Sequence, residues 1–264
     1  MKLIEAPTLA TAHERIIKYI LENGYYQYSE DKEHTIETDC ITAYIDTPFR
    51  PDRISKYAPQ QEMAAKEYAR QLIEGSSNKF DYTYHDQLFK WEEYYIHGIK
   101  KVHNQVHYII DKLTEAPETR RAVAIVFDPS KHQYTDESVP CLQMLQLLYR
   151  NGRLHMRTVF RSNDMLTASG LNMYALTHLQ KYIADKLDYN VGSYTHIALT
   201  PHIYYIRDSE DMLKMADGIK IIPPGISKYP NNLNGIVKHP EEESIKIQRW
   251  ILDNIDTFSK TGRI

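Results

Sequence analysis

Residues 142–160 read LQMLQLLYRNGRLHMRTVF, and Asn151-Gly152 splits them into two apolar runs. Asn-Gly tolerates the positive φ values of a two-residue turn whose twist matches its flanking strands, so it is the strongest short hairpin signal. The stretch therefore predicts antiparallel strands over Leu142–Tyr149 and Arg153–Phe160. Pro140-Cys141 runs into the first strand, and Arg161-Ser162-Asn163-Asp164 leaves the second. The hairpin thus carries a thiol and a guanidinium to neighbouring strand ends, with their register left open.

Outward from the hairpin, Thr8–Asn23 predicts a helix: Thr8 can cap it, Leu9, Ile16, Ile17, Ile20 and Leu21 share a face, and Gly24 stops it. Thr38–Asp46 (TDCITAYID) alternates like a strand, and Pro48–Pro59 is a loop carrying Arg50 and Arg53. Gln60–Glu74 predicts a helix ending at Gly75, and Lys90–Leu113 a mostly helical stretch interrupted at Gly98 and closed by Pro117. Arg120-Arg121 then precedes AVAIVF, a buried strand. Ser169–Leu187 reads as a long helix, Val191–Ile206 as strand-rich, and Glu241–Phe258 as an amphipathic helix. Strands and helices mix without regular βαβ alternation, which predicts the α+β class. With no linker composition and no repeat, residues 1–264 are expected to form a single domain.

The composition excludes several classes of function. A formal charge of -3 leaves no electrostatic footprint for nucleic acid or an anionic membrane. No apolar run approaches the roughly 18 residues of a membrane helix. MKLIEAPTLATAHERI at the start lacks the apolar core of a signal peptide. Two cysteines do not make a disulfide framework, so a reduced, cytoplasmic protein is expected. Tyrosine is abundant at 21 residues against 6 phenylalanines, which suits a deep polar site because a tyrosine buries its ring and still offers a hydroxyl. GxGxxG, GxxxxGK[ST] and GxSxG are all absent. No histidine pair has zinc-ligand spacing with cysteine support, so no metal is expected.

Four features carry chemistry. A lone cysteine is commonly a small buried hydrophobe, but Cys141 would become a nucleophile if a neighbouring cation such as Arg161 favoured its thiolate. Arg120-Arg121 is either a solvated strand end or a bidentate phosphate clamp. Ser162 would add a hydroxyl donor to the same anion. His202 and Tyr204 share one face of a strand by period two.

PETRRAVAI (117–125), VPCLQ (139–143), FRSND (160–164), Asn172 and PHIYY (201–205) follow in an order and spacing that resemble the thymidylate synthase family, over about half the chain, from Tyr82 to Tyr204. The form with Cys-Leu-Gln and Phe-Arg-Ser-Asn-Asp looks most like its short archaeal and phage-type members. The resemblance implies a large mixed or antiparallel sheet packed by long helices. It implies that a cysteine thiolate adds to carbon 6 of a uracil ring, making carbon 5 nucleophilic toward a one-carbon unit on a reduced folate. Cys141 matches that nucleophile, Arg161 and Ser162 the phosphate ligands, and Arg120 and Arg121 the pair supplied across a homodimer interface. Asn172 matches the asparagine whose amide pairs with the base; cytidylate hydroxymethylases of the family tend to carry Asp there, so Asn172 favours uracil. His202 and Tyr204 match the sugar-hydroxyl contacts. Tyr84 matches the tyrosine near the proton removed from carbon 5, and Asp164 the aspartate beside nucleotide and folate. Glu67 is the candidate for the family's proton-relaying glutamate, with Glu62 as rival. Lys32, Arg50 and Arg53 are candidates for an early phosphate ligand.

The chain departs from the commonest pattern at Leu142, where His usually follows the cysteine, at Phe160, where Gln usually precedes the arginine, and at Thr200-Pro201 in place of Asp-Thr. Its last residues, TFSKTGRI, differ from the apolar tail that seals the folate. The leading expectation is a thymidylate synthase using 5,10-methylenetetrahydrofolate and no metal. The rivals are a pyrimidine-nucleotide 5-hydroxymethylase, in which water takes the place of hydride, and a non-catalytic nucleotide- or RNA-binding relative.

Overall fold

The computed structural model describes residues 1–76, 84–97, 99–134 and 139–221. The predicted helix at Glu241–Phe258 lies outside them. The chain opens with β1 (Lys2–Ala6) and α1 (Leu9–Asn23), then β2 (Tyr25–Tyr28), β3 (His34–Glu37) and β4 (Ile41–Ile45). After a loop come α2 (Glu62–Glu74), α3 (Tyr84–Phe89), β5 (Trp91–Ile96), β6 (Ile99–His103) and α4 (Gln105–Glu115). β7 (Val123–Ile125), α5 (Pro129–His132), β8 (Leu142–Arg150) and β9 (Arg153–Phe160) follow. β10 (Asn163–Asp164), α6 (Ser169–Lys186), β11 (Asn190–Ala198), β12 (Pro201–Tyr204) and α7 (Ser209–Gly218) complete the described chain.

A six-stranded mixed sheet in the order β1-β4-β11-β9-β8-β7 forms the centre, a four-stranded sheet β10-β12-β3-β2 lies beside it, and β5-β6 is a separate hairpin. This is the α+β arrangement that irregular alternation of elements predicted. The Asn151-Gly152 turn joins β8 to β9 with φ of 51° and 74°, the two positive values that a mirror-image turn requires. Along β9, Leu154, Met156, Thr158 and Phe160 are buried while Arg157 is exposed, the alternation of a sheet with one face on the core. β8 carries a bulge between Leu142 and Met144, so Leu142 and Leu145 both face the core although they are three positions apart.

α6 lies against β9 and β11 and also meets α1, α2 and α4, which explains why apolar and polar residues alike, from Asn172 to Ala184, are buried along it. α1 begins as expected, with the Thr8 hydroxyl accepting from the Thr11 amide at 3.1 Å. Gly24 ends it for a packing reason: a Cβ there would lie 2.3 Å from the Ile36 side chain.

The helix expected over Lys90–Leu113 is corrected. Trp91–Ile96 and Ile99–His103 pair as the β5-β6 hairpin, and the helix begins at Gln105. WEEYYI is rich in aromatic and β-branched residues, which fit a pleated strand, and His97 adopts a φ of 50° that a helix does not accept. Asn104 restarts the chain as α4 by accepting from the His107 amide at 2.8 Å.

Candidate active site

The end of the β8-β9 hairpin resolves the register that the sequence left open. The Arg161 main-chain N–H donates to the Cys141 carbonyl at 2.9 Å. The Arg161 side chain then turns back, its Nε donating to Pro140 O at 3.2 Å and its Nη2 to Val139 O at 2.7 Å. The half-buried guanidinium therefore clasps the segment that leads into Cys141, and its remaining N–H groups are available to an anion. Cys141 is half-buried and reduced, packed against the core. Tyr84, at the start of α3, accepts a hydrogen bond through its hydroxyl from the Leu142 amide at 3.2 Å, one residue from the thiol.

The RSND turn brings in the second group of residues. β10 runs parallel to β12, pairing Asn163 with Pro201 and Asp164 with His202. His202 Nδ1 lies 3.2 Å from Thr200 O and 3.3 Å from Ser162 Oγ. A carbonyl only accepts, so Nδ1 carries the proton in the neutral ring and Nε2 is left as an acceptor. Burial keeps that ring neutral by lowering its pKa, helped by Arg207 and Arg161 and opposed by the Thr200 bond and Asp164. Tyr204 meets the His202 ring edge-on at 4.9 Å and is covered by the Arg207 guanidinium 3.7 Å from its centroid. Burial raises the Tyr204 hydroxyl pKa; the Arg207 cation lowers it, while Asp164 and Cys141 add to the rise. Cys141, Arg161, Ser162, His202 and Tyr204 thus form one cluster.

Asp164 has a local task as well. Its Oδ1 accepts from the amides of Leu166 and Thr167 at 3.0 Å each, and its Oδ2 pairs with Arg207 Nη2 at 2.9 Å. This shapes the turn into α6. Asn163 is anchored from below. His196 Nε2 lies 2.8 Å from Asn163 Oδ1, and His196 Nδ1 lies 3.0 Å from the Tyr194 hydroxyl. All three are buried, and burial pushes the His196 pKa down to about 3, so the ring is neutral and donates from Nε2. The turn that carries these candidate residues therefore rests on a satisfied polar network inside the sheet.

Asn172, one turn into α6, is buried and accepts at Oδ1 from the Tyr68 hydroxyl of α2 at 3.1 Å. Glu67, one residue earlier, is not brought to the cluster. About 100° of helix rotation separates it from Tyr68. Its carboxylate is exposed, bonded by Arg70 at 2.7 and 2.9 Å and by Gln71, which hold its pKa down to about 2. Glu62 is likewise exposed and paired with Lys66.

Arg53 does not present a free guanidinium. It sits between the Phe49 and Tyr174 rings at 4.1 and 4.2 Å and donates to Thr177 Oγ1 at 2.7 Å, fastening the 48–59 loop to α6. Arg50 and Lys32 are exposed. Arg120 and Arg121 are exposed at the start of β7, an edge strand, and neither guanidinium bonds a described residue.

Two residues of the site were not singled out from sequence. Tyr68 lies in KEYARQL beside Glu67, and its signal was the stripe it shares with Ala65, Ala69 and Leu72 on the buried face of α2. Arg207 follows PHIYY after Ile206, and nothing local marks it as the partner of Asp164.

A family model described as thymidylate synthase matches residues 53–256. A protein of Methanocaldococcus jannaschii named "Putative thymidylate synthase" is 40% identical over 218 residues, covering 81% of this chain and 96% of the relative. A Methanosarcina barkeri protein of the same name is 34% identical over 204 residues, covering 77% and 89%. Thermostable thymidylate synthase A from Bacillus subtilis superposes with a TM-score of 0.60 at 21% identity, over 79% of this chain and 84% of that one, a likeness of fold.

Proposed function

The chain belongs to the thymidylate synthase family, and on that premise we propose that it is a thymidylate synthase, transferring a one-carbon unit from 5,10-methylenetetrahydrofolate to carbon 5 of deoxyuridylate. The observation that carries the reading is the β8-β9 pairing that fastens Arg161 to Cys141, with the Tyr84 hydroxyl at the next amide. Arg161 supplies positive charge beside the thiol, which favours the thiolate. The thiolate forms a bond to carbon 6 of the base, and the electron pair of the carbon 5–carbon 6 double bond becomes available at carbon 5.

The other residues bind and orient. Arg161 and Ser162 hold phosphate. His202 offers Nε2 as an acceptor to a sugar hydroxyl, and Tyr204 lies beside it. Asn172 meets the base, and Tyr84 is placed near the proton that leaves carbon 5. The reduced folate supplies carbon and hydride. Among the described residues Asp164 is the candidate to orient it, and it would do so alongside its ion pair with Arg207. A proton relay through Glu67 would require its carboxylate to leave Arg70.

The reading includes a homodimer. Arg120 and Arg121 lie just before the edge strand β7 and their guanidiniums bond no described residue, so a second subunit's phosphate site can use them. The open face of the central sheet, with Met144, Gln146, Val159, Thr195 and Ile197 only half-buried, is where a partner would sit. The protein is read as cytoplasmic; among the described residues no helix is long and apolar enough to cross a membrane.

A hydroxymethylase is the second reading, favoured by one observation: Leu142, where the family commonly has histidine, is wholly buried and gives no polar group beside the thiol. Product analysis from deoxyuridylate and methylenetetrahydrofolate tests the proposal. Thymidylate with dihydrofolate is expected. A hydroxymethyl nucleotide with tetrahydrofolate released would establish the second reading instead, and a protein inert toward every pyrimidine nucleotide would point to a non-catalytic binder.

A further inference from the structure

The Tyr68 hydroxyl donates to Asn172 Oδ1 at 3.1 Å across the contact of α2 with α6. Ala65 and Ala69 flank Tyr68 on the buried face of α2, and their small side chains let the two helices come close. Asn172 is 6% exposed, and no other side-chain hydrogen bond of its carboxamide is formed with a described residue. The amide is therefore held at its oxygen by a group on a rigid helix, while its N–H2 end is left for a ligand.

An amide can satisfy either pyrimidine. Uracil presents a ring N–H and a carbonyl, so it needs the amide oxygen and N–H2 in one order. Cytosine presents an unprotonated ring nitrogen and an amine, so it needs them in the reverse order. We propose that Tyr68 is a positioning residue for base recognition: its hydroxyl holds the Asn172 carboxamide in the order that uracil requires. One lone pair of Oδ1 takes the Tyr68 proton, the other accepts the uracil N–H, and Nδ2 donates to the uracil carbonyl. Reading cytosine would require the amide to rotate, placing N–H2 against the phenol and breaking the bond from the phenol to Asn172 Oδ1. This rests on the assignment of Asn172 to the base.

The test is the ratio of dissociation constants for deoxyuridylate and deoxycytidylate, measured by calorimetry on the full-length protein. A general loss of packing weakens both nucleotides and cancels in the ratio. Tyr68→Phe removes one oxygen and is expected to reduce the preference for uracil by about three- to tenfold, the loss of one hydrogen bond. Asn172→Ala should abolish the preference, and adding Tyr68→Phe to it should change nothing more. If Asn172→Ala abolishes the preference but Tyr68→Phe leaves it intact, the role of Tyr68 is overturned while that of Asn172 stands. If Asn172→Ala retains the wild-type preference, the base assignment fails and the role of Tyr68 with it.

Discussion

The main-chain N–H of Arg161 donates to the Cys141 carbonyl at 2.9 Å, while the Arg161 side chain donates to the carbonyls of the two residues before Cys141. Charge and position are therefore supplied by the same residue. The guanidinium fixes the backbone that carries the thiol, and in the proposed reading it also favours the thiolate.

Arg161→Lys separates the two contributions. Lysine keeps the charge but lacks the planar fork that reaches two carbonyls and an anion together. We expect kcat/KM for deoxyuridylate to fall by about 10- to 100-fold, the cost of losing one or two charge-assisted bonds. Steady-state kinetics at saturating folate measures it. A variant within twofold of wild type would show that charge alone suffices.

Sites shared between subunits predict complementation. Arg120→Ala and Cys141→Ala should each be inactive as homodimers. After subunit exchange, half the dimers are mixed and each has one intact site, so activity should recover to about a quarter of wild type. No recovery under demonstrated exchange would place Arg120 outside its neighbour's site.

Base choice should follow residue 172. Asn172→Asp replaces the N–H2 donor with an oxygen that accepts from an exocyclic amine. The preference should shift toward cytidylate, read as the ratio of kcat/KM for the two nucleotides. An unchanged ratio would remove Asn172 from base recognition.

Acid should loosen the loop that carries the site. His196 is neutral in the folded protein with a pKa of about 3, against 6.5 for an unrestrained histidine. Below pH 6.5 the unfolded chain binds a proton that the folded chain refuses, so this contribution to stability is present above pH 6.5 and is lost as pH falls toward 3. The loss amounts to about 1.4 kcal/mol per pH unit at its steepest. Denaturant unfolding of wild type and His196→Gln between pH 7 and 5 measures it. The variant should be less stable at pH 7 and should show a shallower pH dependence; equal slopes would remove His196 from the account.

The sequence made the central hairpin legible because Asn151-Gly152 encodes a local backbone geometry that needs no tertiary partner. The first helix was legible for the same reason, through Thr8 and its apolar face. Residues 91–103 were misread: Gly98 looked like an interruption in a helix, while the aromatic content of WEEYYI and the capping Asn104 signalled a hairpin followed by a helix start. The bulge in β8 and the pairing of Arg161 with Cys141 depend on how two strands settle against a core, which composition does not encode. The cysteine, the RSND turn and PHIYY stood out as motifs. Their convergence is a property of β10 pairing with β12, two elements about forty residues apart in the chain. Tyr68 was hidden beside Glu67 because helix phase, set by packing against α6, decides which of two adjacent polar residues turns inward.

The central claim is that this geometry makes Cys141 the nucleophile toward carbon 6 of a uracil nucleotide. Incubation with methylenetetrahydrofolate and 5-fluorodeoxyuridylate tests it most directly, because fluorine at carbon 5 cannot leave as a proton does and the thiol adduct accumulates. Peptide mass spectrometry should find the nucleotide bound to Cys141 in the wild type and no adduct in Cys141→Ala. An adduct on another residue, or none in an enzyme that still turns over deoxyuridylate, would contradict the account.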